Sequence, residues 1–335
     1  MKTPRPWMQT TWIFNPTLWL SLLLAAVSSV PAFGAEKPTY EPTGVEMVVQ
    51  QVGPHSYYVQ GQAGVATDNE GFISNAGFVV TDAGVVVLDA LGTPSLAAKL
   101  RGLIRQVTDQ PVVRVIMTHY HADHLYGLQV FKEEGAEVWA PAGAREYLIS
   151  PQAAERLEER QFSLDPWVNE DTRLVPPDHV VAEDTEFTLG GVTFKISLLG
   201  KAHSDEDLTL FVVDDQVLFS GDIIFEGRVP YVGDANTKIW LAALASMQTG
   251  GLKALVPGHG PAASDPKGAV AATRDYVGYL RQMMGAAADE LQDFDSAYAK
   301  VDWSRFEKLP AFEAANRRNA YQVFLTMEKE ALEAN

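Results

Sequence analysis

The 335-residue chain contains no cysteine, and this absence narrows its chemistry. Disulfides, thiolate nucleophiles and cysteine-bound zinc are excluded, so any metal ion must be held by nitrogen and oxygen ligands. A basic excess is lacking as well, because 43 acidic residues face 26 lysines and arginines, which gives a formal net charge of −17. Such a charge repels nucleic acid and anionic membrane surfaces at long range. The composition therefore predicts a globular protein that does not bind nucleic acid.

An apolar run near the N-terminus, Leu18–Val30, has the features of an export signal. Basic residues precede it, and small residues follow at the −3 and −1 positions of a cleavage site. We expect residues 1–34 to be a signal peptide cleaved after Gly34, which places the mature protein in the periplasm or outside the cell. A retained anchor is the alternative, but the run is short for a bilayer and Pro31 follows it directly. Stable membrane insertion is not expected.

The rest of the chain alternates short β-branched runs with helical patterns. Four such runs between residues 45 and 90 predict a meander of strands, and Thr93–Val107 predicts a helix with a threonine cap and a first-turn proline. Hairpins are predicted at Gly190 and at Asp214, and helical periodicity without a strand signal follows Asp265. We therefore predict an α/β (α+β) catalytic domain over residues 35–264 and a helical C-terminal extension over residues 265–335 that packs on the core.

Three of the seven histidines lie in the stretch THYHADH, residues 118–124. A buried strand is predicted just before it, and Leu125–Gly135 is predicted to continue as a helix. Residues 119 and 121 can direct two imidazoles to one point while 123 and 124 turn toward a second, so two metal sites are indicated. Further candidate ligands follow later strands: His203, Asp222 and His259. Imidazole and carboxylate ligands suit Zn²⁺, and iron or manganese also fits them.

Residues outside this cluster have plainer interpretations. His55 and His179 lie in turn-like settings without an evident partner, so we interpret both as solvated loop residues. Asp205 is a candidate to hydrogen-bond a ligand histidine. Apolar residues at helical spacing in the extension, such as Tyr276 and Tyr321, indicate packing on the core, with a role at the active-site mouth or in dimerisation as the alternatives.

The motifs THYHADH, KAHSDEDLTLF, LFSGD and VPGHG, with Asp89 at the end of VVVLDA, resemble the metallo-β-lactamase superfamily in order and spacing. The resemblance covers about residues 45–262. It implies an αββα sandwich, in which two sheets lie back to back with helices outside and a dinuclear site lies at one edge. It also implies a role for each ligand: His119, His121 and His203 would hold the first zinc ion, Asp123, His124 and His259 the second, and Asp222 would bridge them.

The same resemblance implies a mechanism. A hydroxide bridging the two ions would attack a carbonyl polarised by the first ion, with Asp123 and Asp222 as the catalytic carboxylates and Asp123 orienting the nucleophile. Asp89 and Thr118 would fix the metal-binding loop by hydrogen bonds. Arg228 and Tyr231 lie roughly where a lysine and a tyrosine hold glutathione in glyoxalase II, although the loop here is shorter. They are candidates to bind the substrate, with hydrogen bonding at the rim of the site as the alternative.

Three reactions remain open. A thioester or related acyl hydrolase similar to glyoxalase II is favoured, because the bridging Asp222 is usual in that branch. A metallo-β-lactamase of the subclass without a cysteine ligand is the second, although that subclass normally lacks the bridging aspartate. A mono-iron sulfur dioxygenase is the third. A softer resemblance, in GRVPYVGDANTKIWLAAL and NRRNAYQVFLTMEKEAL, is to exported zinc hydrolases of sulfur-oxidation gene clusters and quinoprotein relay systems. The oligomeric state is not predicted.

Overall fold

The structure is a computed structural model that describes residues 40–333. The predicted signal peptide, residues 1–34, lies outside the described residues and stays a prediction. Within residues 40–333, no helix is both long and apolar enough to cross a membrane.

The larger sheet has a central strand that is covered on both faces. Every residue of β4 (Gly84–Leu88) is buried, with Val85 and Val87 in an outer core and Val86 and Leu88 in a core against the second sheet. This alternation follows because successive side chains of a strand point to opposite faces. Seven strands pair in chain order, antiparallel up to β4 and parallel beyond it. The other six are β1 (Val49–Gln51), β2 (Ser56–Val59), β3 (Ala76–Thr81), β5 (Val112–Ile116), β6 (Glu137–Pro141) and β7 (His179–Val181).

The second sheet has five strands and contains both predicted hairpins. Its strands are β8 (Thr185–Leu189), β9 (Val192–Gly200), β10 (Asp207–Val212), β11 (Val217–Phe219) and β12 (Ala254–Val256). They pair in the order β12-β11-β10-β9-β8, and all neighbours are antiparallel except β11 and β12. The parallel pair directs the ends of β11 and β12 to the same edge of the sheet.

Helices cover the outer faces of both sheets. They are α1 (Pro94–Val107), α2 (Ala122–Leu125), α3 (Leu128–Lys132), α4 (Ala142–Leu148), α5 (Pro151–Ser163), α6 (Thr237–Ser246), α7 (Pro266–Asp289), α8 (Phe294–Lys300) and α9 (Phe312–Glu333). One apolar cluster lies between the sheets, a second between the larger sheet and its helices, and a third includes residues of α6 to α9 beside the smaller sheet. The predicted αββα sandwich with a helical C-terminal region is therefore confirmed.

The helix predicted over Leu125–Gly135 is wrong in its continuity. Helix α2 ends at Leu125, α3 covers only Leu128–Lys132, and Gly127 lies between them. A Cβ atom at Gly127 would lie 1.9 Å from the carbonyl oxygen of Ala90, so glycine allows the turn to pack against the end of β4. Helices α4 and α5 were not predicted at all.

The interpretation of His55 and His179 as solvated loop residues holds in part, because His55 lies in a bend with a partly exposed side chain and His179 is exposed. His55 Nδ1 lies 2.7 Å from Oδ1 of the buried Asp215. His179 begins β7, and its ring centroid lies 4.2 Å from that of Trp139. Both histidines thus have structural partners, and neither belongs to the groups of candidate metal ligands.

Candidate metal centre

Three histidines from two loops form the first group of candidate ligands. His119 and His121 follow β5, and His203 lies in the loop between β9 and β10, so the packing of the two sheets brings them together. His203 Nε2 lies 2.9 Å from His121 Nδ1, and the ring of His119 lies within 5.1 Å of both other rings, centroid to centroid. Together with Asp222, their ligand atoms all lie within 4.8 Å of one another. The structure thus brings together the predicted first set.

The second group stands directly beside the first. Asp123 and His124 lie in α2, and His259 follows β12. His259 Nε2 is 3.3 Å from Asp123 Oδ2, and His124 Nε2 is 3.6 Å from the same oxygen. The ring centroids of His119 and His124 are 4.4 Å apart, so the two groups are adjacent.

Asp222 contacts both groups from a short 3-10 helix, Gly221–Ile223, that follows β11. Its Oδ2 lies 3.3 Å from His203 Nε2 and 3.2 Å from His259 Nε2, and its Oδ1 lies 3.2 Å from His124 Nε2. Gly258 leaves room for this carboxylate, because a Cβ atom there would lie 1.9 Å from Asp222 Oδ1. Asp222 therefore stands where a ligand shared by both groups must stand.

Asp89 and Thr118 orient two of the histidines. Asp89 accepts hydrogen bonds from the Thr118 backbone N–H at 2.7 Å and from Thr118 Oγ1 at 2.8 Å, and its Oδ2 lies 2.9 Å from His124 Nδ1. Thr118 Oγ1 also lies 3.0 Å from His119 Nδ1. The Thr118 hydroxyl donates its one hydrogen to Asp89, so toward His119 it can only accept, from Nδ1–H. His124 Nδ1–H likewise donates to Asp89. In the neutral form of each ring, Nε2 then carries no proton and is turned toward the site.

Asp207 holds the loop that carries His203. Its carboxylate accepts hydrogen bonds from the backbone N–H groups on both sides of this histidine, at 3.2 Å from Ala202 and 2.9 Å from Ser204. Sequence analysis missed this residue, because a side chain that bonds backbone atoms leaves no motif. Asp205, the candidate that we considered, instead accepts a hydrogen bond from Tyr120 Oη at 3.3 Å.

Asn75 does the same for the loop that carries His259. This buried amide donates to the carbonyl oxygens of Pro257 and Gly260, both at 2.8 Å. His259 Nδ1 lies 2.7 Å from the Ile73 carbonyl oxygen, to which it can donate, and this leaves Nε2 toward the site. Asn75 was also missed, for the same reason as Asp207.

The pKa values of the histidines shift in opposite directions in the two groups. Burial, reinforced by the charge of His203, lowers the pKa of His121 to about 3, and burial also holds the pKa of His119 well below its usual range. For His124, burial opposes protonation, but Asp222, Asp123 and Asp89 outweigh it and raise the pKa. Burial of Asp222 is in turn outweighed by His259 and His124, which lower its pKa. The carboxylates are thus ionised and favour positive charge beside them.

The two predicted substrate residues lie beside the ligands. Arg228 is buried, and its Nη1 lies 3.5 Å from His259 Nδ1. Burial lowers the pKa of Arg228, the nearby Asp222 and Asp123 counteract this, and an arginine stays cationic under such conditions. The ring of Tyr231 lies 6.3 Å from that of His121, centroid to centroid. Arg160, which sequence analysis did not single out, lines a cleft together with Asp123.

These residues fit a metal centre. His119 Nε2, His124 Nε2 and Asp222 Oδ1 are buried and make no hydrogen bond of good geometry within residues 40–333, although His124 Nε2 and Asp222 Oδ1 lie 3.2 Å apart. A buried polar atom without a partner is costly, and a metal ion satisfies exactly this kind of imidazole nitrogen and carboxylate oxygen. The donor set suits zinc, and each group offers at least three ligands.

A sandwich with such a cluster of histidines and aspartates at its edge defines a metal-dependent hydrolase. Residues 69–259, more than half of the chain, match the family model of the metallo-beta-lactamase superfamily. The chain belongs to that superfamily. Curated relatives include metallo-beta-lactamase IND-1 of Chryseobacterium indologenes, 23% identical over 193 residues that make up 56% of this chain and 72% of the relative. A type 2 metallo-beta-lactamase of Elizabethkingia meningoseptica is 24% identical over 236 residues, 69% of this chain and 82% of the relative.

Solved structures agree on the fold. A metallo-beta-lactamase from Pontibacter korlensis is 21% identical, with a TM-score of 0.56, and the match covers 70% of this chain and 99% of that one. The inverting sec-alkylsulfatase Pisa1 from Pseudomonas sp. is 19% identical, with a TM-score of 0.64, and the match covers 84% of this chain and 50% of that one.

Proposed function

We propose that the protein is a dinuclear zinc hydrolase that cleaves a thioester or a related acyl substrate. The observation that carries the proposal is the position of Asp222, whose two oxygens lie within 3.3 Å of nitrogens from both ligand groups. A bridging aspartate is typical of the glyoxalase II-like branch that the sequence motifs resemble. Curated relatives named as lactamases support the superfamily, whereas Asp222 supports the acyl branch.

Each group of ligands would hold one ion. His119, His121 and His203 would bind the first, Asp123, His124 and His259 the second, and Asp222 both. When bound, two zinc ions would polarise a carbonyl group and lower the pKa of a water molecule toward neutrality. The ionised carboxylates of Asp123 and Asp222 offset part of that positive charge, so the site remains suited to an anionic transition state.

The chain's own groups then bind and orient the reactants. Neighbouring His124 and His259 outweigh burial and lower the pKa of Asp123, so its carboxylate is ionised and can accept a hydrogen bond from the attacking water. Asp89 keeps His124 in the correct tautomer. Arg228 places a fixed positive charge beside His259, where it can stabilise an anionic group of the substrate.

Hydrolysis of a β-lactam is the second candidate function, because both curated relatives described above are named as metallo-beta-lactamases. The ligand groups contain no cysteine, as in the subclass that lacks this ligand. An amide carbonyl and a thioester carbonyl need the same polarisation, so one centre can act on both at unequal rates.

The decisive experiment measures metal content and hydrolysis on one purified sample. Elemental analysis is combined with kcat/KM for S-lactoylglutathione, nitrocefin and a secondary alkyl sulfate, and Asp222→Asn is assayed beside the unaltered protein. About two zinc ions per chain and a preference for the thioester, lost in Asp222→Asn, support the proposal. A preference for nitrocefin or the sulfate would replace the substrate class, and one iron ion without hydrolysis would overturn the zinc hydrolase.

We also propose that the protein acts in the periplasm or outside the cell. The support is the order of basic, apolar and small residues in positions 1–34. Cell fractionation and N-terminal sequencing of the mature protein test it. A mature chain that begins after Gly34 is the expected result, and an intact N-terminus in the cytoplasm would contradict it.

A further inference from the structure

Asn319 of α9 forms hydrogen bonds to the loop that carries Tyr231. Its Oδ1 accepts a hydrogen bond from the Val232 backbone N–H at 2.9 Å, and its Nδ2 donates to the Pro230 carbonyl oxygen at 2.6 Å. Because a backbone N–H can only donate and a carbonyl can only accept, these two bonds fix the orientation of the amide. The residues on both sides of Tyr231 are thus tied to one side chain of the C-terminal extension.

A buried polar network supports this amide. Asn319 Nδ2 also donates to Tyr276 Oη at 2.9 Å, Tyr276 Oη donates to Asn316 Oδ1 at 2.9 Å, and Asn316 Nδ2 donates to Tyr298 Oη at 2.9 Å. Asn316 and Asn319 are both fully buried. Hydrogen bonds to α7 and α8 therefore hold Asn319 rigidly in place, since a fully satisfied buried network has one low-energy arrangement.

The same arrangement occurs at both ligand loops. Asp207 bonds the backbone on both sides of His203, and Asn75 bonds the backbone on both sides of His259. In each case one buried polar side chain fixes a loop residue that faces the centre. Tyr231, whose ring lies 6.3 Å from that of His121, is the third residue held in this way.

A further contact ties the same loop to the extension. The Val229 backbone N–H donates to the Pro310 carbonyl oxygen at 3.0 Å, so the loop is fastened on the side nearest Arg228 as well. The guanidinium of Arg318, next to Asn319, lies 5.7 Å from the centroid of the Tyr231 ring. The extension therefore contacts both the backbone of residues 229–232 and the ring of Tyr231, and we call this segment the substrate-binding wall.

We propose that Asn319 is a positioning residue that acts through Tyr231 to shape the substrate-binding wall. This inference rests on the proposed function in one respect, namely that Tyr231 contacts the substrate. The helical extension is then part of the binding site and not merely a cover for the smaller sheet. Loss of the hydrogen bonds between Asn319 and the backbone of Pro230 and Val232 weakens substrate binding more than it slows the chemical step, because the metal ligands stay in place.

Asn319→Ala and Asn316→Ala form a matched pair for the test. Both remove a buried amide from the same helix and network, but Asn316 makes no hydrogen bond to residues 229–232. Hydrogen exchange of the segment 229–232 is followed by mass spectrometry, and KM and kcat are measured with the best substrate of the panel. We expect faster exchange in this segment and about a tenfold rise in KM, with little change in kcat, for Asn319→Ala, and smaller effects for Asn316→Ala, which removes only a support of Asn319.

A second variant and a double variant sharpen the result. Asn319→Asp keeps the acceptor for Val232 but turns an oxygen that cannot donate toward the Pro230 carbonyl oxygen, so exchange and KM should rise as they do in Asn319→Ala. In a Tyr231→Ala background, Asn319→Ala should add little to KM, because the residue through which it acts is gone. Equal exchange in both alanine variants, or raised exchange with an unchanged KM, would overturn the proposal.

Hydrogen exchange separates this inference from the proposed function, because it needs no substrate. If no substrate of the panel is hydrolysed, the proposed function fails. Hydrogen exchange alone then tests whether Asn319 fixes the segment 229–232. Unchanged exchange in Asn319→Ala then rejects the inference, and exchange that is faster in this variant than in Asn316→Ala supports it. Circular dichroism and unfolding curves show whether each variant is folded before either comparison is made.

Discussion

Asp89 is the residue on which the orientation of the centre depends most. One carboxylate accepts bonds from the backbone and hydroxyl of Thr118 and from His124, and Thr118 in turn contacts His119. It thereby sets the tautomer of one histidine in each ligand group. Its backbone φ of +57° lies in the left-handed region, where a non-glycine residue needs support from its surroundings.

Replacement Asp89→Asn should weaken metal binding without altering any ligand. The amide nitrogen cannot accept, so at least one of the bonds to Thr118 or His124 is lost and His124 is free to turn. Outer partners of metal ligands typically contribute 10- to 100-fold in metal affinity, and a loss of about this size is expected. Competition with a chromogenic chelator measures it, with the exposed turn residue Asp82→Asn as the control. Equal affinity in both variants would contradict the role of Asp89.

Replacement Arg228→Met should raise KM more than it lowers kcat. Methionine keeps the buried volume while the positive charge beside His259 is lost. A charge-assisted hydrogen bond contributes about 1.5–3 kcal/mol, so KM should rise about tenfold or more. Steady-state kinetics measure this, and Arg305→Met, at an arginine that lies over Tyr279 in the extension, is the control. A fall in kcat at constant KM would instead assign Arg228 to the transition state.

Among single residues, those with their own chemistry could be predicted and those that act on the backbone could not. THYHADH, His203, Asp222 and His259 are distinctive because metal chemistry restricts the residue types at fixed positions. Asn75, Asp207 and Asn319 bond carbonyl and N–H groups that every residue carries, so their role depends only on the folded geometry. Nothing in their local sequence distinguishes them from other polar residues.

At the scale of elements, the contact between α7 and α9 holds the extension together. Arg281 of α7 donates to Glu330 of α9 at 3.1 and 2.7 Å and to Thr237 Oγ1 of α6 at 2.9 Å. The hydrogen bond from Arg281 lowers the pKa of Glu330. Since α9 also carries Asn319, a change in this contact bears on the substrate-binding wall.

The stabilisation from Glu330 should depend on pH with a definite sign. Its pKa is lower in the folded than in the unfolded chain, so the contribution is complete above the unfolded value of about 4.3 and is lost as the pH falls through the folded value. Glu330→Gln should lower the free energy of unfolding by less than about 1 kcal/mol at neutral pH, because the pair is partly exposed. Urea unfolding of the metal-free proteins measures this, with the exposed Glu328→Gln as the control. A difference that grew toward acid pH would have the wrong sign.

Elements with an apolar pattern were predictable, and those without one were not. β4 is a continuous apolar run that is buried throughout, α1 carries helically spaced buried residues, and Thr93 caps α1 by accepting from the Leu96 N–H. In α5 only Ala153 is buried, so no apolar face marks it as a helix. Its one usable signal was Ser150 followed by Pro151, a cap and a first-turn proline, and Ser150 Oγ does accept from the Ala153 N–H.

At the scale of the whole molecule, the candidate ligands join its two halves. Four candidate ligands follow β5 of the larger sheet, namely His119, His121, Asp123 and His124. The other three belong to loops of the smaller sheet, namely His203, Asp222 and His259. Most strands were predictable from periodicity, but β6 and β7 were not predicted. The pairing of the two halves came from the superfamily resemblance, because strand patterns alone do not say which sheets pack together. An ion bound by both halves is therefore expected to stabilise the sandwich.

Removal of the metal should lower the stability of the entire fold. Buried carboxylates and imidazoles would lose their shared ion, and the folded state alone presents all seven ligands together. Returning zinc at about one hundred times its Kd should add about 2.7 kcal/mol for each site that binds only the folded chain. Differential scanning calorimetry of chelator-treated protein, titrated with zinc, measures the rise in Tm, and Asp222→Asn should show a smaller one because the carboxylate shared by both groups is lost. Calcium, which prefers six to eight oxygen ligands, is the control ion. If elemental analysis confirms removal and Tm does not change, the ions do not couple the two halves.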